Sequence, residues 1–266
     1  MAAFGAGEIA GAFQNVAWSV LLLFYYQQII GVEAALVGLA IGIAILVDGI
    51  TDPLIGALSD RIQSRWGRRH PMLLFSAAPL AVSFVLLFHP PQDMSDLGGF
   101  LWLTVFGILV RASYTFYNIP HLSLGAEMAS GYHQRSTLFG YSAFFAAMSI
   151  AVAYGLITGY YFPTTERFDP GFLDASGYTR MSLTFAAVMV GAILLCVVGT
   201  RNQIPYLRES MQREPLTMLG LFREMKAVFA SKSFRAVFIG ALLGAVITGI
   251  ESAFMPFMGI HFWGFR

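Results

Sequence analysis

Two carboxylates stand in the middle of an apolar stretch long enough to cross a bilayer: Asp48 and Asp52, in Asp48-Gly-Ile-Thr-Asp52-Pro53. No other residue between Ala34 and Leu58 ionises. A spacing of four puts the pair on nearly one helix face, roughly 6 Å apart at Cβ. Each charged side chain at the bilayer centre costs about 2.5–3.5 kcal/mol on insertion scales. Such residues therefore face a bundle interior or a cavity and mark an ion or solute path. A short basic stretch follows at once, Asp60-Arg61 and then Arg65-Trp-Gly-Arg68-Arg69.

Composition agrees with a chain whose solvent is lipid. Hydrophobic residues make up 57 % and charged residues 12 %, against roughly 45–50 % and 25 % in soluble domains. A net charge of +1 and the lack of a basic patch interleaved with aromatics argue against nucleic acid as a partner. The single cysteine, Cys196, excludes a disulfide framework. The N-terminus, with Glu8 as its first charged side chain, lacks the basic region of a signal peptide, so the first apolar run reads as a permanent span. The sequence holds no His-Glu-x-x-His, Gly-x-Ser-x-Gly or Walker-type loop, and its histidines (70, 89, 121, 133, 261) lack metal-ligand spacing. An enzyme is not expected, and neither is a soluble cofactor or a metal beyond a Na⁺ at Asp48 and Asp52.

A hydropathy window of about 19 residues gives seven candidate spans, near 8–30, 34–58, 71–89, 99–123, 137–162, 181–200 and 234–258. Connectors after spans 2, 4 and 6 carry eleven basic residues: Arg61, Arg65, Arg68, Arg69, Arg135, Arg201, Arg208, Arg213, Arg223, Lys226 and Lys232. Those after spans 1, 3 and 5 carry two, Arg167 and Arg180. The positive-inside rule then places the even connectors and the N-terminus in the cytoplasm. Three GxxxG pairs, Gly38/Gly42, Gly155/Gly159 and Gly240/Gly244, are candidates for close helix contacts.

Several words along the first 150 residues stand in a recognisable order. They are Phe24-Tyr-Tyr26 before Gly31, Asp48-Gly-Ile-Thr-Asp52-Pro-Leu-Ile-Gly56, Ser59-Asp60-Arg61, and Ser64-Arg-Trp-Gly-Arg-Arg69. Arg111-Ala-Ser-Tyr-Thr115, Asn118-Ile-Pro120-His121, Leu124-Gly-Ala-Glu127 and Arg135-Ser follow. In these the chain resembles the sodium/melibiose symporters (glycoside–pentoside–hexuronide:cation symporters) of the major facilitator superfamily. Asp-x-x-x-Asp-Pro running straight into the basic loop is the most specific of the words.

The resemblance implies an all-α membrane protein with twelve helices in two six-helix halves, each of inverted 3+3 repeats. The expectation here is a six-helix N-terminal bundle over 1–200, a cytoplasmic central loop over 201–233, and the first helix of the second half over 234–266. The chain would then be a truncated form whose C-terminal half is a missing partner. The implied activity is secondary active transport: cation-coupled symport of a sugar, glycoside or similar small polar solute, in a bacterial inner membrane. A non-transporting half-transporter, or a transporter of an amphiphilic non-sugar solute, stands as the alternative.

The residues themselves leave two readings of the carboxylate pair. Two anions one turn apart repel, and a cation between them relieves both repulsion and desolvation. Oxygen ligands suit a hard cation such as Na⁺, and a proton serves where desolvation favours the neutral carboxyl. Alternatively Arg111 of span 4 neutralises Asp48 or Asp52 as a structural ion pair, and both readings can hold together. By resemblance, Asp48, Asp52 and Thr115 match the family's cation site. Arg111, Thr115 and Asn118 form one stripe of span 4, flanked by Tyr114 and His121. With Asn15 and Trp18 of span 1, residues Asn118, Tyr114 and His121 are the candidate solute contacts; interhelical hydrogen bonding is the competing role, above all for His121. The family's melibiose permeases carry a carboxylate where Asn118 stands, another at Ala12, and an Arg near Ser142-Ala143, so the resemblance does not carry melibiose over as the cargo, and a sugar is what the family alone implies. Asp60, Arg61, Arg68 and Arg69 match the superfamily's cytoplasmic gate loop, with Glu127 and Arg135 as possible partners, and Glu251 on span 7 is a further deep charge. Fusion of a reporter after Arg69 or Arg213 should report the cytoplasm, and one placed within Phe168–Gly177 the outside; the opposite pattern overturns this orientation.

Overall fold

The computed structural model describes residues 1–206 apart from 63, 130, 167 and 169, then residues 220, 223 and 226, and residues 229–263. The expected linker residues Arg208, Arg213 and Pro215, and Arg167 of the outer connector, lie outside them. The chain divides into two units, Met1–Ser210 and Met211–Phe265. The first holds six helices long and apolar enough to cross a membrane: α1 (Ala2–Ile29), α2 (Ala34–Ser59), α3 (His70–Leu87), α4 (Asp96–Met128), α5 (Tyr132–Tyr161) and α6 (Ala175–Pro205). In the second unit, the seventh expected span lies within helix α7 (Lys232–His261), whose first turn is capped by Ser231 Oγ accepting from the Phe234 amide.

Helix ends run past the hydropathy limits because polar caps, not apolar residues, define them. α6 starts at Ala175 rather than 181, where Asp174 accepts from the Ser176 amide at 3.0 Å. α4 starts where Ser95 Oγ accepts from the Gly98 amide and continues to Met128, beyond the expected 123. After Thr200 the chain keeps turning as a short 3₁₀ helix, Arg201–Tyr206, so the expected loop from 201 begins helical. α1 already starts at Ala2 and breaks at Gly7, where i→i+3 bonds (Gly7 N–H to Phe4 O, 3.0 Å; Ala10 N–H to Gly7 O, 3.2 Å) tighten the turn.

Within the first unit, α1 packs on α5 and α6, α4 packs on α2 and α3, and α3 packs on α6. Exchanging the first three helices for the second three maps this pattern onto itself, as a 3+3 repeat requires. The resulting fold is an all-helical bundle of the major facilitator N-terminal type, with no strand among the described residues. Large apolar side chains such as Leu46, Ile50, Phe75 and Phe144 face outward. In water so much apolar surface would be a liability; in a bilayer it meets its own kind.

Polar side chains close the helix ends inside this apolar body. The last carbonyls of α3 run out of intrahelical donors, and side chains of neighbouring helices supply them: Tyr26 OH to Leu87 O (2.7 Å), Tyr25 OH to Phe88 O (3.1 Å), and Trp102 Nε1 to Leu86 O (2.9 Å), which also accepts from the His89 amide. Around them Tyr178 packs against Tyr25 and Phe162 in tilted pairs, each at a centroid distance of 4.5 Å. This cluster ties α1, α3 and α6 together at one end of the bundle.

The GxxxG expectation needs correction. Open space surrounds Gly38, Gly42, Gly155 and Gly159, where an added Cβ would meet nothing within 4 Å. The close approaches are made instead by Gly7 and Gly11 of α1 against the Tyr117 and Tyr114 hydroxyls of α4, by Gly125 against Phe4, and by Gly199 against Ala3. Gly7 and Gly11 are themselves a GxxxG pair, straddling the expected start of the first span at residue 8. A Cβ at Gly125 would lie 2.5 Å from Phe4 Cζ. Gly125→Ala and Gly11→Ala should therefore destabilise the protein by about 1–3 kcal/mol through overpacking. Gly38→Ala should be neutral or stabilising by up to about 1 kcal/mol from helix propensity. Unfolding in detergent, followed for all three, checks the ranking.

Candidate functional site

Asp48 and Asp52 lie on α2 against α4, with Asp48 buried and Asp52 half-buried. Pro53 follows directly; lacking an N–H, it cannot donate to the carbonyl of Gly49, so the helix is locally loosened beside the carboxylates. Thr51 Oγ1 turns back onto the Asp48 carbonyl at 3.2 Å.

The facing stripe of α4 meets this pair as its spacing predicts. Thr115 Oγ1 stands 3.1 Å from Asp48 Oδ1 and 2.8 Å from Asp52 Oδ1. A hydroxyl has one proton to donate, so it serves one carboxylate while its lone pairs remain for a cation. Arg111 Nη2 makes an ion pair with Asp48 Oδ2. The guanidinium also lies 5.5 Å from the Trp18 ring centroid, an arrangement that supports a partly desolvated cation. The Trp18 ring in turn packs over Gly107. Two carboxylates and one guanidinium leave the cluster with one formal negative charge, concentrated on Asp52.

The other sequence-predicted positions divide. Tyr114 OH lies 3.5 Å from Asn118 Oδ1, one turn below Thr115, and Asn15 stands beside the Tyr114 hydroxyl from α1. Asn15, Trp18, Tyr114 and Asn118 thus gather next to the carboxylate pair. His121 does not join them. It is 1 % exposed, stacked between Phe4 (4.2 Å) and Tyr117 (5.2 Å), with Nε2 3.1 Å from the Phe4 carbonyl. Interhelical bonding, not solute contact, is what its surroundings provide. Glu251 lies on α7, in the second unit.

At the other end of α2 the basic loop forms a charge network. Arg69, 4 % exposed, bonds Ser59 Oγ (2.5 Å), Asp60 Oδ1 (2.6 Å) and Glu127 Oε1 (2.9 Å), and Arg68 pairs with the same Glu127 oxygen. The expected pairing of Arg135 is corrected: its Nη2 lies 3.5 Å from the Ala126 carbonyl, and among the described residues it meets no acid. Among the described residues Arg61 enters no ion pair. Ser59 and the Trp18–Arg111 stack were not legible in sequence, because no spacing along one helix reports which side chain of another helix it will meet.

A bundle of membrane-length helices in 3+3 arrangement, with a carboxylate pair, a hydroxyl and an internal guanidinium between α2 and α4, defines a multi-pass integral membrane protein with a polar site in its interior. Residues 3–266 match the family described as "MFS/sugar transport protein", and the chain belongs to this sugar-transport family of the major facilitator superfamily, as the resemblance to sodium/melibiose symporters implied. It is 35 % identical over 137 residues to the inner membrane symporter YicJ of Escherichia coli (strain K12), covering 51 % of this chain and 29 % of the relative. It is 28 % identical over 187 residues to the isoprimeverose transporter of Lactiplantibacillus pentosus, covering 70 % and 38 %. It is also 28 % identical over 228 residues to the glucuronide carrier protein homolog of Escherichia coli (strain K12), covering 81 % and 48 %. The chain thus spans less than half the length of each of these relatives.

The charge network yields a graded expectation. Removing one partner of a buried ion pair costs about 3–5 kcal/mol, and Arg69 is the most buried member. Arg69→Ala should lose about 3 kcal/mol, the low end because Arg68 still serves Glu127 and Asp60 is partly solvated. Arg68→Ala should lose less. Denaturant melts of the two variants test the order.

Proposed function

We propose that the protein is a secondary active transporter of the bacterial inner membrane. It symports a sugar or glycoside with one monovalent cation, Na⁺ or H⁺, held by Asp48, Asp52 and Thr115. The observation that carries this reading is the charge balance between α2 and α4. Arg111 already neutralises Asp48, so the unmet charge is one carboxylate, at Asp52, with the Thr115 hydroxyl 2.8 Å away. A single positive charge completes the set; a divalent ion would overshoot it.

The mechanism follows from what a net charge costs in a closing cavity. In alternating access one helix bundle rocks against another around a central site. Closing over an uncompensated carboxylate desolvates it at a cost of several kcal/mol. A bound cation removes that penalty and favours solute binding at the adjacent polar face, a coupling that is reciprocal by thermodynamic necessity. Asn118, Tyr114, Asn15 and Trp18 supply that face: amides that donate and accept to hydroxyls, and rings against which a sugar can lie. The names of the relatives, an inner membrane symporter, an isoprimeverose transporter and a glucuronide carrier protein homolog, support a sugar-like cargo. In this reading residues 1–200 are the N-terminal bundle, 201–233 the cytoplasmic loop and 234–266 the start of the C-terminal bundle. The N-terminus is cytoplasmic, and Asp60, Arg61, Arg68 and Arg69 form the cytoplasmic gate.

In vesicles carrying the full-length protein, Asp52→Asn should abolish cation-stimulated uptake while membrane insertion persists. Asp48→Asn should also lose coupling, and in addition lower the folded yield, because Arg111 is left with a buried unpaired charge; Arg111→Leu should restore that yield. Unchanged cation dependence in both Asp variants overturns the assignment.

A further inference from the structure

A second titratable pair lies apart from the carboxylates of α2, where α1 breaks at Gly7 and seats on α4. His121 Nε2 is 3.1 Å from the Phe4 carbonyl. A carbonyl only accepts, so Nε2 carries the hydrogen and the neutral imidazole presents a bare lone pair at Nδ1. That Nδ1 faces Glu8 Oε1 at 3.6 Å. A lone pair opposite an ionised carboxylate is repulsive, whereas one proton between the two draws this 3.6 Å contact in to hydrogen-bond length. Burial decides where that proton sits. His121 is 1 % exposed between two rings and Glu8 is 23 % exposed in its side chain. A neutral carboxyl donating to a neutral imidazole buries no charge, whereas carboxylate and imidazolium bury two.

We propose that Glu8 and His121 form a proton-binding site in which the Glu8 carboxyl donates to His121 Nδ1, clamping the Gly7 break of α1 onto α4. The same break is held from α4 by Tyr117, whose hydroxyl donates to the Gly7 carbonyl at 2.9 Å. The titratable groups in electrostatic contact with Glu8 are Tyr114 and Tyr117 of α4 and Cys196 of α6; none ordinarily carries charge at neutral pH. From α5, the other helix against this end of α1, Phe139 meets Phe4, while Tyr141 and Phe145 meet Gly5. These neighbours therefore give the site no fixed counter-charge. Proton loss leaves Glu8 as an anion facing a lone pair, and the clamp loosens. The site is independent of the proposed cation site and does not rest on it.

The test uses the full chain in lipid nanodiscs. At neutral pH the infrared spectrum should contain a protonated-carboxyl stretch that Glu8→Gln removes and Asp52→Asn does not remove in its place. Hydrogen exchange of the amides of residues 2–12, corrected for intrinsic rates, should rise on the order of tenfold in the wild type as Glu8 ionises with increasing pH. It should stay flat in Glu8→Gln, whose amide donates to Nδ1 at any pH. His121→Phe keeps the stacked ring without Nδ1 and should shift the Glu8 band, giving a readout even where Glu8→Gln folds poorly. A spectrum unchanged by Glu8→Gln, or an imidazolium nitrogen signature from His121 at neutral pH, overturns the proton placement. Exchange that follows pH alike in wild type and Glu8→Gln overturns the clamp.

Discussion

Everything polar in this bundle is organised by one constraint: charge inside an apolar medium must meet its complement on another helix. The Arg111–Asp48 pair is where the constraint binds hardest. Neither residue can find a partner on its own helix, since α2 has no cation and Arg111 has no acid one turn away. The pair therefore fixes the facing of α2 and α4, and Thr115, one turn from Arg111, falls between both carboxylates as a consequence. The Trp18 ring extends the same logic to α1, giving the guanidinium a π face where water is scarce. A stabilising pair of this kind does not compete with a binding role. It reduces the site's formal charge to a value that a single monovalent cation can cancel.

The same physics without charge closes the helix termini. Tyr25, Tyr26 and Trp102 each give a donor to a terminal carbonyl of α3, a service that water performs in a soluble protein and that lipid cannot. Phe24-Tyr-Tyr26 is thus a structural word as much as a family one. At the opposite end, Arg69 gathers the Ser59, Asp60 and Glu127 oxygens, joining the end of α2 to the end of α4.

Along-chain patterns were legible and cross-helix ones were not. Membrane spans, the shared face of Asp48 and Asp52, and the stripe Arg111, Thr115, Asn118 all follow from periodicity within one helix, and each stands where the spacing put it. Glu127 was legible as a neighbour of the basic loop because both ends of the pair are charged and close to a helix terminus. The close glycines were misjudged because a motif such as Gly38/Gly42 reports only that a helix is smooth, not which side meets another helix. His121 shows the same limit. Its place beside Asn118 in sequence puts it near the polar stripe, yet less than one further turn carries it under Phe4, where the break of α1 supplies a carbonyl that sequence periodicity does not reveal.

α4 is the element on which these features converge. Over 33 residues it carries Arg111 and Thr115 against α2, Tyr117 and His121 against the break in α1, and Glu127 against the loop beyond α2. Each contact is a directed polar bond, so each tolerates little sliding before it is lost. Pro120 lies inside the second group, between Tyr117 and His121, and, without an N–H, leaves the carbonyl of Phe116 without its helical donor. The helix is thus held at three levels and loosened within the middle one, beside the seat of α1. Thr115 and Tyr117 share the stretch before the proline, so a rotation that separates Thr115 from Asp52 also moves the hydroxyl that holds the Gly7 carbonyl of α1. The proposed cation site is therefore linked to the seat of α1 through Tyr117, while His121 and Glu127 lie together beyond the proline.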